Sequence, residues 1–442
     1  MENDIVNPYR LVAPAAALLL LGAHTLRRGD FGLAASLVAL AGLLLLRRAW
    51  TRPVAFCALL WGAYVWAQST GDMIALRRAL DLPWTRLAWI MGGVMALNLL
   101  GLAALAGRSV IRPDGGGTWA SPRAAMFLCT VLGLAAARSH AGFPILLADR
   151  YLPGWGWLEI FLLGCYAQWI GFRMRTPKGH RTVRPRVWGL FSAVFFLQLA
   201  LGLAGMERML MTGSLHLPVP ALIAAGPVFR GGGYFMLVLF GATLLLIGPA
   251  WCSHLCYIGV WDHAMSSSGP RPAPDGRLRA MAVWGRGAVL ALAVGGAWLL
   301  RVFGAPVAVA VLLGGALGLA GVGVMLFVSR RQGMMVHCTA FCPMGLVGNI
   351  FGRISPWRMR IAADCTGCGA CFSRCRYNAL DRGRVASGRP ALSCTLCGDC
   401  VSACAHGRIG YAFPGLSRET ARTVFIVLSV SLHAIFLGVA RV

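Results

Sequence analysis

The chain has 15 cysteines, and eight of them repeat one pattern. Cys365-Thr-Gly-Cys368-Gly-Ala-Cys371-Phe-Ser-Arg-Cys375 is followed, nineteen residues after Cys375, by Cys394-Thr-Leu-Cys397-Gly-Asp-Cys400-Val-Ser-Ala-Cys404. Both read C-x2-C-x2-C-x3-C, the bacterial run that binds [4Fe-4S] clusters. A cubane presents four iron corners, each needing one thiolate. Three cysteines two residues apart can wrap one side of it in a tight loop, helped by Gly367, Gly369 and Gly398. The fourth thiolate comes from elsewhere, because in two-cluster ferredoxins the last cysteine of each run ligates the other cluster. The expected ligand sets are therefore Cys365, Cys368, Cys371 and Cys404 for one cluster, and Cys394, Cys397, Cys400 and Cys375 for the other. A zinc site or free thiols are the competing reading, and two identical runs of four speak against it. The proline that usually follows the fourth cysteine is replaced by Arg376 and Ala405. Proline is not a ligand, so binding is expected to survive, while loop rigidity and reduction potential are left open.

A second pattern precedes these runs. Cys252-Ser-His-Leu-Cys256 and Cys338-Thr-Ala-Phe-Cys342 are both C-x3-C, and each continues with a glycine three residues on, Gly259 and Gly345. Each follows a pair of apolar segments, so 187–268 and 285–355 read as an internal duplication. On a helix, positions i and i+4 share a face, so each pair can address one partner. Four thiolates could hold a third cluster or another metal, could act as redox-active dithiols, or could be packing residues at helix ends. His254 and His337 sit beside the pairs and could tune them. Cys57, Cys129 and Cys165 stand singly in apolar stretches and read as packing residues.

These cysteines have to be positioned by a greasy scaffold. Of 442 residues, 58% are hydrophobic and only 13% are charged. That excludes an ordinary soluble enzyme, which carries roughly a quarter charged residues, and a disordered chain, which is poor in apolar residues. Cysteines this dilute also exclude a disulfide-stapled secreted domain. The net charge of +26 comes from 41 basic against 15 acidic residues. In so apolar a chain it marks loops on the cytoplasmic side of a membrane rather than nucleic-acid binding. A helix of about 20 apolar residues crosses a bilayer, and eleven segments are candidates: 11–26, 31–46, 53–68, 87–107, 124–138, 154–172, 187–206, 231–251, 285–303, 305–329 and 422–440. With the N-terminus inside, the basic residues collect on inner loops, six in 173–186 and twelve in 330–421. Thiolates and clusters fed by intracellular iron also belong in a reducing compartment, which puts 365–404 on the same side.

The expected fold is mainly α: a polytopic α-helical membrane protein of about eleven spans, with an inserted small α+β ferredoxin domain of the bacterial two-cluster type. The expected domains are 1–172, an N-terminal helical module; 173–355, a helical module with the duplicated hairpin and C-x3-C motifs; 356–415, the ferredoxin domain; and 416–442, a C-terminal span.

Several spans, paired C-x3-C motifs of which the second continues into Pro343, and a two-cluster ferredoxin module behind them resemble the NosR/NapH-type membrane-bound polyferredoxins. The resemblance covers roughly 184–412, from Arg184-Pro-Arg-Val-Trp188 and Phe196-Leu-Gln-Leu199 onward. It implies membrane electron transfer without naming a terminal reductase. The sequence departs from the family at Tyr257, where the first motif lacks its proline, and in an N-terminal half with no counterpart.

Glu159, His24 and His433 lie within apolar segments, where ionisable groups are functional candidates. They are candidates for a quinone site or, for the two histidines, haem ligation, set against ordinary interfacial or helix-bonded roles. The function expected is membrane-bound iron–sulfur electron transfer between cytoplasmic [4Fe-4S] clusters and a quinone pool or an outward-facing redox partner, as in a quinol- or quinone-linked oxidoreductase subunit of a bacterial inner membrane. Arg374, Arg376, Arg382, Arg384 and Arg389 would attract an acidic carrier such as a cytoplasmic ferredoxin or flavodoxin. The alternative is an accessory factor supplying reducing equivalents for maturation of an extracytoplasmic metalloenzyme.

Overall fold

The computed structural model describes residues 11–45, 51–106, 120–210 and 217–439. The chain divides into two compact units, Met1–Gly171 and Phe172–Val442. Both are mostly helical.

The first unit contains α1 (Val12–Arg27), α2 (Phe31–Leu45), α3 (Thr51–Ala79), α4 (Thr85–Ala106), α5 (Ala120–His140), the short α6 (Leu147–Tyr151) and α7 (Gly156–Arg173). Helices α1, α2 and α4 pack closely, as do α3 and α4. Small residues permit this: a Cβ at Gly101 of α4 would stand 3.1 Å from the Pro14 backbone of α1. Glu159 accepts a hydrogen bond from the Ala148 backbone N–H at 2.8 Å, and Arg138 pairs with Asp149 at 2.6 Å. Both carboxylates thereby order the turn around α6. His24 lies 3.3 Å from the Ser69 hydroxyl with its ring tilted on Trp66.

The second unit begins with α8 (Pro177–Leu203), α9 (Leu222–Arg230), α10 (Phe235–Ile247), α11 (Trp251–His254) and α12 (Gly259–Ser267). A second hairpin follows, α13 (Gly276–Val302) and α14 (Val307–Gly323). Helix α14 runs on through a π turn, Val324–Ser329, into α15 (Arg330–Gln332). Another π turn, His337–Phe341, leads into α16 (Pro343–Phe351). Thr176 caps α8 by accepting from the Gly179 N–H at 3.0 Å, with Pro177 at the first turn where its missing N–H costs nothing. Asp275 caps α13 in the same way, at 3.0 Å from the Leu278 N–H.

Strands β1 (Arg358–Ile361) and β2 (Ile409–Ala412) form one antiparallel pair, with Arg358 opposite Ala412 and Ile361 opposite Ile409. Between them lies the cysteine-rich segment, with a single 3-10 turn (Phe372–Arg374) and the short helices α17 (Arg382–Ala386) and α18 (Asp399–Ala403). Helix α19 (Arg418–Val439) closes the chain. It packs on β2, α10 and α8. Tyr411 of β2 stacks on Phe425 of α19 at 4.5 Å, and Trp357 meets the same ring edge-on at 5.4 Å. One continuous core therefore runs from α10 and α19 into the strand pair and the cysteine loops.

All eleven segments expected to span coincide with helices. Among the described residues, six helices are long and apolar enough to cross a membrane: Thr85–Leu105, Pro177–Leu203, Phe235–His254, Gly276–Val302, Val307–Gln332 and Arg418–Val439. Helices α1 and α2 are apolar but shorter. Three others carry polar ends, such as Asp72, Arg77 and Arg78 in α3, which shorten the apolar stretch. The outward faces of α13 and α14 expose Trp284 (82%), Leu312 (71%) and Leu319 (74%). Such a dense apolar surface is what lipid, rather than water, accommodates.

Candidate functional site

The loop geometry around the two C-x2-C-x2-C-x3-C runs is set by left-handed residues. Gly367, Gly369 and Gly398 have φ of +68°, +83° and +80°, a region glycine enters without steric cost. Leu396, between Cys394 and Cys397, is held at φ +55°. That is a strained conformation for a branched side chain and is found where the surroundings over-determine the backbone. Tyr411 donates from its hydroxyl to the Leu396 carbonyl at 2.9 Å and so helps hold the turn.

The runs converge in two groups. Burial raises the Cys371 thiol, and the neighbouring thiols of Cys365 and Cys404 raise it further. Burial also pushes Cys375 up to about 12, opposed by the Ala379 N–H and reinforced by Cys394. Cys400 is raised by burial and then by Cys397, Cys394 and Cys375. Electrostatically, Cys371 is thus coupled to Cys365 and Cys404, and Cys400 to Cys397, Cys394 and Cys375. Cys368 is exposed. Backbone N–H groups donate to sulfur in both, Ala379 to Cys375 Sγ at 3.3 Å and Arg408 to Cys404 Sγ at 3.2 Å. Among the described residues, no three His, Cys, Asp or Glu side chains form a group that could hold one metal ion. A cubane has a different requirement, because its thiolates bind separate iron atoms and stand further apart. The donor set suits that group, and bound metal would displace the thiol protons that burial otherwise retains.

The C-x3-C cysteines form a third group. Burial pushes Cys256 up to about 12, with Cys342 as the next contributor. Cys338 is raised by burial, by Asp262 and by Cys342, Cys256 and Cys252. The expected i, i+4 helical face is not how they meet. Helix α11 ends at His254, and the N–H groups of Leu255 and Cys256 both bond to the Trp251 carbonyl. The second pair lies on a π turn closed by Cys342 N–H to the His337 carbonyl at 2.7 Å. Both pairs therefore ride on broken helix ends, a form frequent at functional sites.

The duplication has a packing logic. A Cβ at Gly259 would stand 2.5 Å from Trp188 Cζ2 and 2.9 Å from the Cys252 carbonyl oxygen. A Cβ at Gly345 would stand 2.6 Å from the Cys338 carbonyl oxygen and 3.6 Å from Arg286 Nη1. In each repeat the glycine lets its helix press onto the first cysteine of its own pair and onto the hairpin's first helix, α8 or α13. Asp262, fully buried, accepts from the Cys338 N–H at 2.9 Å. Burial raises its carboxyl to about 6 despite hydrogen bonds from Ser329 and Cys338.

Trp188, Met335 and Tyr377 form a small buried cluster, against which Cys338, Cys375 and Cys397 all pack. Beside them a polar network joins the helices to α18. Arg184 of α8, 1% exposed, donates to both oxygens of Asp399 at 2.9 and 3.1 Å and to the Ser253 carbonyl. His180 Nε2 lies 3.2 Å from His254 Nε2. Ser253 donates to the Thr395 carbonyl at 2.8 Å. His433 is buried in α19, edge-on to Phe191. The sequence reading missed Arg286, Asn349, Asp262 and the Arg184–Asp399 pair; Arg286 and Arg184 stood out as cations inside apolar helices and Asp399 as an acid between two patterned cysteines, while Asn349 and Asp262 carried no such signal.

A protein-family profile described as a 4Fe-4S binding domain matches residues 230–271 and 315–361. These are the two segments that carry the C-x3-C pairs. No curated protein and no solved structure matches the chain. The match supports an iron–sulfur, ferredoxin-type protein, and the six apolar helices are consistent with a membrane protein.

Proposed function

We propose that this chain is a membrane-bound electron carrier of the NosR/NapH type. Its twelve patterned cysteines hold two [4Fe-4S] clusters in 365–404 and a third at Cys252, Cys256, Cys338 and Cys342. The observation that carries the reading is convergence: thiols from distant stretches of sequence pack on a shared core, and Cys338, Cys375 and Cys397 meet on the one Trp188–Met335–Tyr377 cluster. When bound, such clusters supply one-electron carriage over a wide range of potentials.

The chain's own residues do the rest. Cys365, Cys368, Cys371 and Cys404 form the more exposed set, with Cys368 open to solvent, through which a soluble partner exchanges electrons. Cys375, Cys394, Cys397 and Cys400 form the buried set, kept from water by Tyr411, Tyr377 and Trp188. Exposed Arg374, Arg382, Arg384 and Arg389 draw in an acidic carrier such as a ferredoxin or flavodoxin. The eleven helices cross the membrane with the ferredoxin segment on the cytoplasmic side, and a quinone pool or outward-facing redox protein takes the other end of the chain.

Anaerobically purified protein is expected to contain about twelve irons and as many sulfides per chain, four per cubane. Changing Cys252 and Cys338 together to Ser is expected to remove about four while the signals of the other two clusters persist in electron paramagnetic resonance. Colourless, iron-free wild-type protein would sink the reading. Unchanged iron in the double variant would return the C-x3-C pairs to a dithiol or packing role.

A further inference from the structure

Arg286 is a cation buried in a membrane-spanning helix, only 1% exposed. Its Nη1 donates to Asn349 Oδ1 at 2.8 Å and its Nε to the Ala282 carbonyl at 3.2 Å, both neutral acceptors. The ion pairs found among the described residues are Arg138–Asp149, Arg184–Asp399, Arg279–Asp381 and Arg408–Asp364, and Arg286 belongs to none of them. A buried charge without a counter-charge is costly, so buried charges are paired or tied to a metal centre. Gly345 joins the guanidinium to the second pair, since a Cβ there would stand 3.6 Å from Arg286 Nη1 and 2.6 Å from the Cys338 carbonyl oxygen, and the thiols of Cys252, Cys342 and Cys338 act on the Arg286 charge. A second donor points to the same conclusion: Asn349 is 4% exposed, and its Nδ2 has no hydrogen-bond partner among the described residues. The adjacent Gly348 brings the α16 backbone close to Cys252, where a Cβ would lie 3.6 Å from Sγ. A cation and an unused N–H donor thus lie beside three of the four C-x3-C cysteines, Cys252, Cys338 and Cys342. Neutral thiols or disulfides would leave both unanswered, whereas an anionic cluster with sulfide acceptors satisfies both.

We propose that Arg286 is the counter-charge of an iron–sulfur cluster held by Cys252, Cys256, Cys338 and Cys342, and that it raises the reduction potential of that cluster. The proposal rests on the reading that these four cysteines hold a cluster. Reduction there takes one electron from the cluster of Cys375, Cys394, Cys397 and Cys400 and adds one negative charge. The fixed guanidinium favours that charge without any proton having to follow. Arg286 acts through the cluster and touches no substrate, so it is a positioning residue.

The test uses the full chain, purified anaerobically, with iron content and a redox titration followed by electron paramagnetic resonance. The two ferredoxin signals serve as internal controls. In Arg286→Gln, the ratio of reduced to oxidised third cluster at a fixed potential is expected to fall at least tenfold, which for a one-electron couple is about 59 mV. Arg286→Lys keeps the charge and is expected to stay near the wild-type midpoint. Loss of the third cluster from the glutamine variant alone also supports the charge role. An unmoved midpoint in Arg286→Gln, or a lysine variant that behaves like glutamine, overturns it. If Arg286→Gln does not fold, Asn349→Asp puts a carboxylate on the guanidinium and should shift the midpoint the same way; no shift there overturns the proposal. Wild-type protein with about eight irons would defeat the underlying cluster reading itself, before any arginine variant is made.

Discussion

Asp399 shows how a residue that is no ligand can be indispensable to the site. It lies between Cys397 and Cys400 and binds Arg184 with both oxygens, inside the core. Breaking a buried ion pair by removing one partner costs about 3–5 kcal/mol, because the other charge is left stranded, whereas replacing both is far milder. Asp399→Asn should therefore lower the unfolding temperature and shed iron from the buried set. Arg184→Gln combined with Asp399→Asn should recover much of the loss; a double variant as damaged as the sum of the singles would contradict this. The ligand candidates were readable because their spacing is written in consecutive residues. Arg286 and Asn349 were not, since their meeting across 63 positions depends on how α13 and α16 pack. Glu159 looked functional only by its place in an apolar stretch, and it serves to order the turn at Ala148.

At the scale of elements, the two hairpins are read most easily from the glycines. Hydropathy located the long apolar helices but not the short ones such as α9, α12 and α16, and it could not foresee that both C-x3-C pairs sit on interrupted helix ends, which are set by tertiary contact and not by periodicity. Gly259 and Gly345 are where that contact is tightest. Gly345→Ala would drive a methyl into the Cys338 carbonyl, and Gly259→Ala would do the same to the Cys252 carbonyl and the Trp188 ring. Overpacking of this kind costs roughly 1–3 kcal/mol. Each substitution should separate the two pairs and reduce iron by about four per chain, with the ferredoxin signals intact, as measured by iron analysis of each variant. Retention of full iron in both would mean that the close approach is incidental.

At the scale of the molecule, the arginine distribution and the cysteine placement support one orientation. Residues Arg382 and Arg384 are exposed and lie in the cysteine-rich segment. Trypsin should cut there in inverted membrane vesicles and spare the same sites in right-side-out spheroplasts; the opposite pattern would reverse the topology. In the N-terminal unit the sequence offered only His24 and Glu159 as candidate chemistry, and its small-residue packing explains its compactness without adding a role. The strand pair has a broader consequence. Because β1 and β2 are hydrogen-bonded in register from Arg358–Ala412 to Ile361–Ile409, the polypeptide enters and leaves the intervening loops through a single doorway. Inside that doorway Arg279–Asp381, Arg184–Asp399 and the Ser253–Thr395 hydrogen bond tie the loops back to the helices. Any graft of the segment into another scaffold would therefore have to carry those helical partners with it.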